Sequence, residues 1–253
     1  MASNTHVLIT RPEPACWQLQ QALVDHGFTA SCQPLLNYQQ NINREAIVSI
    51  TQSFCPNIIV FISQAAVECA HNAWPLTQWI SEEVTVVAVG RKTQATLAQY
   101  QIPSLCPERH DSEGMFSLPC FFADRIDQAR VLIVRGDGGR EWLAQQLCAA
   151  GAKTQYLESY RRNWLEIAQD QHKIWKKEQI NVMVITSEAM LNRMCELLPA
   201  NKQFWFSSCL WIVPSQRVAA AGAAKGIQNI IISEGASDRA IISALQHMEL
   251  NHD

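Results

Sequence analysis

Residues able to grip an anion recur in this sequence wherever an apolar run ends. The richest instance is residues 131–141, VLIVRGDGGRE, where Arg135, Gly136, Asp137, Gly138, Gly139 and Arg140 follow four apolar residues and lead into a helical pattern. A strand, a glycine-rich turn and a helix N-terminus in that order leave backbone N–H groups free for an anion, and the helix dipole favours negative charge beside them. Related junctions stand at Thr10-Arg11, Ser63-Gln64, Gly90-Arg91-Lys92-Thr93, Thr186-Ser187 and Ser215-Gln216-Arg217. They offer small hydroxyls, amides and basic side chains, with no nucleophile set beside a base. The chemistry they suit is the capture of a ligand with several carboxylates or phosphates. Taken singly, Ser63, Ser187 and Ser215 serve equally well as plain helix N-caps, and the glycines as turn formers. Repetition at every junction favours binding for the set.

The elements that must position these residues alternate. Apolar runs at 7–9, 28–32, 57–63, 84–89, 102–106, 131–134, 181–187, 209–213 and 229–233 read as strands, and 154–160 as a strand or connector. Helical patterns fall at 13–26, 43–52, 64–72, from after Thr93 to 100, at 112–118, 140–150, 165–178, 188–198, in an alanine-rich stretch after Arg217, and at 238–248. Alternation of this length predicts parallel sheets covered by helices on both faces. In such sheets ligands bind beyond the carboxyl ends of the strands, which is where the junctions lie. The chain also repeats itself. Arg11 and Arg135 end VLITR and VLIVR, Ser63 and Ser187 end IIVFIS and VMVITS, and Gly90 and Pro214 follow VVAV and LWIV, each pair 124 residues apart. Two similar α/β units therefore share the chain. Pro214 in the second copy removes one N–H donor that Gly90 keeps.

Bulk properties narrow the partners. A chain of 253 residues is natural for two domains, and 48% hydrophobic residues give both a core. A net charge of −3 leaves no global footprint for nucleic acid or a membrane surface. Nine cysteines, an odd number without a CxxC or a zinc-type Cys/His spacing, read as reduced thiols of a cytoplasmic protein. The run 7–9 is too short for a signal sequence or a membrane span. GDGG lacks GxGxxG spacing, and no GxxxxGK[ST] occurs, so nucleotide use has little support. Glu108, His110, Asp111 and Glu113 cluster, but as a solvated charge run rather than a metal site.

The order of VLITRP (7–12), PLL (34–36), FIS (61–63), AVGRKT (88–93), VLIVRGDGGRE (131–141), ESYRR (158–162), VITS (184–187) and VPS (213–215) resembles the uroporphyrinogen-III synthase family along the whole chain. The duplication alone would divide the chain near residue 125. The resemblance implies a different division into two flavodoxin-like parallel-sheet domains, one of them discontinuous. One comprises 1–34 and 162–253, the other 38–158, with connectors 33–38 and 154–161 side by side as a two-stranded link. The strand ends of both domains would then face a shared cleft. The implied reaction is the cyclisation of hydroxymethylbilane to uroporphyrinogen III, with inversion of ring D and loss of water.

The electronics of that reaction lie in the substrate, so the resemblance implies no metal or organic cofactor. It implies Tyr160 as the general acid for the departing hydroxyl, and Arg11, Arg135 and Arg140, with Arg91 and Lys92, as partners of substrate carboxylates. It further implies a monomer whose partners are the linear tetrapyrrole and, transiently, the enzyme that makes it. Two rival readings stay open on the residues themselves. One is a non-catalytic bilobal module that binds a polycarboxylated or phosphorylated small molecule. The other is a nucleotide-using enzyme built on the loop 136–139.

Overall fold

The structure is a computed structural model that describes residues 5–108, 112–138, 141–197, 205 and 208–250. Its strands are β1 (His6–Ile9), β2 (Thr29–Cys32), β3 (Leu36–Gln40), β4 (Ile58–Phe61), β5 (Thr85–Ala88), β6 (Arg130–Gly136), β7 (Lys153–Trp164), β8 (Val182–Val184), β9 (Leu210–Val213) and β10 (Ile230–Ile232). They form two five-stranded sheets, β10-β9-β8-β1-β2 and β3-β7-β6-β4-β5. The chain divides into two compact units, Met1–Asn37 with Trp164–Asp253, and Tyr38–Asn163. The divisions at 37/38 and 163/164 place all of residues 154–161 in the second unit, because β7 pairs with β6 as far as Gly136 and Tyr160.

In the first unit β2, β1, β8, β9 and β10 lie in that order, all parallel. Alternate residues of β1 enter opposite cores, as the pleat requires. Leu8 joins Met183, Trp211 and Val213 under Trp175, Met190 and Met194. Val7 and Ile9 join Val182, Val184 and Ile212 under Leu19, Leu23, Ile241 and Leu245. Burial on both faces explains why these strands read as continuous apolar runs.

The second unit repeats the order as β7, β6, β4 and β5. Ile59, Phe61, Leu132 and Val134 face one core, and Ile58, Val60, Val131 and Ile133 the other. Even the register repeats: His6 lies beside Thr29 and Arg130 beside Lys153, both pairs being offset by the same 124 residues. The strand expected at 102–106 is reduced to one parallel bridge, Val87 to Leu105. Pro103 has no N–H to give a ladder there.

Residues 33–38 and 154–164 differ most from a plain connector. The Leu165 amide donates to the Leu35 carbonyl (2.9 Å) and the Asn41 amide to the Ser159 carbonyl (3.0 Å). β3 and β7 therefore run antiparallel, and exchanging the two repeats turns one bond into the other, since Leu165 is 124 residues after Asn41 and Leu35 is 124 before Ser159. β7 runs out to Trp164, and the helix expected over 165–178 covers only Gln171–Lys177. The helix expected over 112–118 likewise covers only Ser112–Met115. Among the described residues no helix is long and apolar enough to cross a membrane. All nine cysteines are free, and Cys16, Cys69, Cys120 and Cys209 are buried.

Candidate functional site

The carboxyl ends of the strands of the second unit hold the densest polar cluster. β4 ends two residues before Ser63, whose extended backbone opens the helix Gln64–Ala73 and whose hydroxyl accepts the Ala66 amide at 3.1 Å. The same oxygen lies 3.2 Å from the Tyr160 hydroxyl. Tyr160 is only 3% exposed and packs in the core beneath β4 and β6. The β6–β7 register slips between Arg135 and Gly136, so that Gly136 faces Tyr160 and Ser159 is the extra residue. Buried Ser159 is satisfied there by donating to the Ala66 and Arg135 carbonyls.

Gly136 is a packing requirement: a Cβ at this position would lie 2.4 Å from Tyr160 Cε2 and 2.5 Å from Cζ. Beyond it, the Asp137 amide donates to the Tyr160 carbonyl (2.8 Å) and its carboxylate accepts the Arg162 amide (3.0 Å). Gly138 has φ +62°, the left-handed region that favours glycine. Gly139 and Arg140 lie outside the described residues, as do His110 and Asp111. The Tyr38 ring meets Tyr160 edge-on at 4.8 Å. Its phenol is pushed up to about 12, first by burial and next by the Tyr160 phenol, with Arg162 opposing.

Arg135 is 3% exposed, and its charge is already matched. Its Nη1 donates to Glu141 at 3.0 Å, its Nε to the Gly136 carbonyl at 3.2 Å, and its guanidinium lies over the Tyr156 ring at 4.3 Å. The Tyr156 hydroxyl donates to the other oxygen of Glu141 and is itself pushed up to about 12, chiefly by burial. Glu141 is held below the usual carboxylate range, first by the Tyr156 hydroxyl and then by Arg135. A carboxyl lowered on folding stabilises the fold above its unfolded value and loses that contribution as pH falls through the lowered one. Glu141→Gln is therefore expected to melt below the parent at pH 7. The gap should close as pH falls below about 4, read by thermal denaturation across pH. A gap that widens in acid would remove this account.

The third mouth of this unit is formed by Gly90, the extended N-cap of the helix Arg91–Gln99. Arg91 and Lys92 are exposed, while Thr93 is buried. Gln64 donates across to Thr96 (3.2 Å), joining this helix to the one after β4.

In the first unit Thr10 is buried and donates to the Val184 carbonyl at 2.8 Å. Arg11 is 5% exposed, pairs with Asp238 at 2.5 Å and donates to the Ala236 carbonyl. Ser187 caps the helix Glu188–Glu196 through the Met190 amide (3.2 Å), and Thr186 contacts the Met190 sulfur (3.3 Å). Ser215 occupies the N-cap of Gln216–Ala224 without a side-chain bond, and Arg217 pairs with Glu188.

The expected set thus divides. Ser63, Gly136, Asp137 and Tyr160 come together in one cluster, while Gln64 turns to Thr96 of the next mouth. Thr10, Arg11 and Arg135 are engaged in internal bonds, and Ser187 is an N-cap. The four helices that open after β4, β5, β8 and β9 start at strand ends and leave first-turn amides for an anion. Sequence reasoning passed over Tyr38, Glu141, Tyr156 and Arg162. Tyr38, Tyr156 and Arg162 lie on β3 and β7 and become legible only once those strands are placed in the sheet, and Glu141 only once β6 and β7 are known to pair. Among the described residues no three metal-ligating side chains gather.

Comparison with known proteins agrees across the whole chain. A family model described as uroporphyrinogen-III synthase HemD matches residues 18–243. The uroporphyrinogen-III synthase of Salmonella typhimurium is 30% identical over 95% of this chain and 99% of its own length. That of Escherichia coli K12 is 27% identical over the same shares. Among solved structures, a mutant uroporphyrinogen III synthase of Thermus thermophilus matches 98% of this chain and 100% of its own, at 12% identity and a TM-score of 0.62. The Helicobacter pylori 26695 enzyme matches 96% and 99% of the two chains at 13% identity, with a TM-score of 0.61. The structural likeness carries the fold, and the sequence matches carry the kinship. This chain belongs to the uroporphyrinogen-III synthase family.

Proposed function

We propose that the chain cyclises hydroxymethylbilane to uroporphyrinogen III by orienting the two ends of the substrate. Family membership makes it an enzyme of tetrapyrrole biosynthesis. The observation that carries the reading is that the match is collinear through both units, 18–243. The non-catalytic binding module finds no observation in its favour.

The substrate supplies the electronics. Its hydroxymethyl group leaves with push from the pyrrole nitrogen, giving an azafulvene. The substituted α-carbon of the far ring attacks, and the spiro intermediate fragments and recloses with the terminal ring inverted. Without a protein the unhindered carbon closes first and gives isomer I. The task left to the chain is orientation and preorganised electrostatics, effects large enough to redirect a ring closure.

Helix-start amides at Ser63–Gln64, Gly90–Thr93, Ser187 and Ser215–Gln216, with the exposed side chains of Arg91 and Lys92, are suited to the carboxylates of the bilane. Tyr160, held by Ser63 and by the absence of a side chain at Gly136, is suited to donate a proton to the departing hydroxyl. The protein acts as a cytoplasmic monomer and takes its unstable substrate from the enzyme that makes it.

The test is direct. Purified protein added to freshly generated hydroxymethylbilane should yield mainly isomer III, resolved by chromatography after oxidation. Isomer I alone, at the uncatalysed rate, would end the proposal.

A further inference from the structure

The ribbon of β3 and β7 presents two donors that the strand-end reading leaves out. The bonds Leu165 N–H to Leu35 and Asn41 N–H to Ser159 fix the register, setting Tyr38 opposite Arg162 and Gln40 opposite Tyr160. These are non-hydrogen-bonded antiparallel pairs, the kind in which facing side chains come closest. Tyr38, Arg162 and Tyr160 therefore share one face of the ribbon. Tyr38 is 39% exposed and lies edge-on against the buried Tyr160 ring, so of the two side chains Tyr38 is the one a ligand can reach.

Arg162 is exposed, and among the described residues no carboxylate lies in ion-pair range of its guanidinium. This sets it apart from Arg11, Arg135 and Arg217, which are matched by Asp238, Glu141 and Glu188. Its backbone is anchored, since the Arg162 amide is held by the Asp137 carboxylate in the loop after β6.

We infer that Tyr38 and Arg162 form a carboxylate subsite for the tetrapyrrole. The guanidinium accepts one side-chain carboxylate of the substrate in its fork, and the phenol donates a second hydrogen bond to the same group. Burial and the neighbouring Tyr160 keep the Tyr38 proton on oxygen at and above neutral pH, so the donor persists across the working range. The subsite lies beside Tyr160, and it would fix one acidic substituent next to the residue proposed to meet the leaving group. This inference rests on the synthase reading above.

Steady-state kinetics and isomer analysis on hydroxymethylbilane separate the two. Arg162→Gln is expected to raise KM about ten-fold with kcat within about two-fold, because a carboxylate grip is uniform binding. Arg162→Lys should recover part of that loss, keeping the charge without the fork. Tyr38→Phe should raise KM about three-fold while leaving the ring contact with Tyr160 and the melting temperature in place. Arg161→Gln is the control: its side chain alternates to the other face of β7, and KM should not move. If the parent makes isomer III and both Arg162→Gln and Tyr38→Phe keep the parental KM, the subsite is refuted and the synthase reading stands. If the parent makes only isomer I, the synthase reading fails first and the subsite falls with it.

Discussion

Gly136→Ala is expected to destabilise the protein by roughly 1–3 kcal/mol, the usual cost of overpacking a full core. The melting temperature should fall by about 2–4 °C for each kcal/mol in a chain of this size. The backbone does not demand glycine through its φ. The close approach does: the new methyl carbon would stand 2.4 Å from one ring carbon of Tyr160 and 2.5 Å from another. A flexible side chain would swing away, but Tyr160 has nowhere to go. Its hydroxyl is bonded to Ser63, its ring is flanked by Tyr38, and its carbonyl is held by the Asp137 amide. β6 must therefore part from β7 or the tyrosine must leave its bed.

Either movement disturbs the proposed acid, so kcat should fall further than stability alone explains. Tyr160→Phe separates the effects, because it removes the hydroxyl and keeps the packing. Placing Gly136→Ala on a Tyr160→Leu background should recover most of the lost stability, since the flat ring that blocks the methyl is gone. Parental melting and parental rate in Gly136→Ala would show that the tyrosine is not fixed as described.

The strand ends were legible in the sequence because each is a local event: a buried run stops, and a serine or glycine starts a helix. Ser63 and Ser187 show how far such reading goes. Both sit where the spacing placed them, and both cap the helix that follows. What a local pattern cannot contain is the partner of a long side chain. Arg11 meets Asp238 across 227 residues of sequence. Arg135 meets a glutamate only six residues away, but over a tyrosine face supplied by the next strand. An arginine at a strand end reads the same whether it awaits a ligand or is already matched.

The ribbon was expected from the family resemblance as a two-stranded link, but the local pattern does not show it. Leu36–Gln40 is polar after its first residue, with a burial pattern of one buried and four exposed positions, so no hydrophobic alternation marks it as a strand. Its pairing comes from the long-range partner β7, and with it the pairing of Tyr38 with Arg162. The discontinuous division is a further non-local feature. A repeat of 124 residues suggests a cut near residue 125, whereas β1 pairs with β8 on one side and β2 on the other, so the first two strands join the sheet of the second half.

Removing the carboxylate of Asp238 is expected to destabilise the first unit strongly. Arg11 is buried at the carboxyl end of β1, and its guanidinium has two matched contacts, Asp238 and the Ala236 carbonyl. Taking away one partner of a buried ion pair leaves a charge without compensation, which typically costs about 3–5 kcal/mol. Asp238 is itself 27% exposed and opens the last helix. Asp238→Ala therefore also deprives that N-terminus of a favourable charge. The reverse change is milder. Arg11→Met removes the buried charge and leaves a carboxylate that water can reach, so it should cost no more than about 1–2 kcal/mol.

That asymmetry bears on function. If Arg11 holds the last helix to β1, Arg11→Met should keep KM for hydroxymethylbilane while lowering the melting temperature, and Asp238→Ala should lower it further. Adding Arg11→Met to Asp238→Ala should then recover stability, since no unmatched charge remains. If Arg11 instead leaves Asp238 to take a substrate carboxylate, Arg11→Met should raise KM about ten-fold or more with little change in melting, and the double variant should show no recovery. A guanidinium that is almost fully enclosed and already carries a carboxylate at 2.5 Å has to break that contact before it can offer itself to another. The first outcome is therefore the expected one.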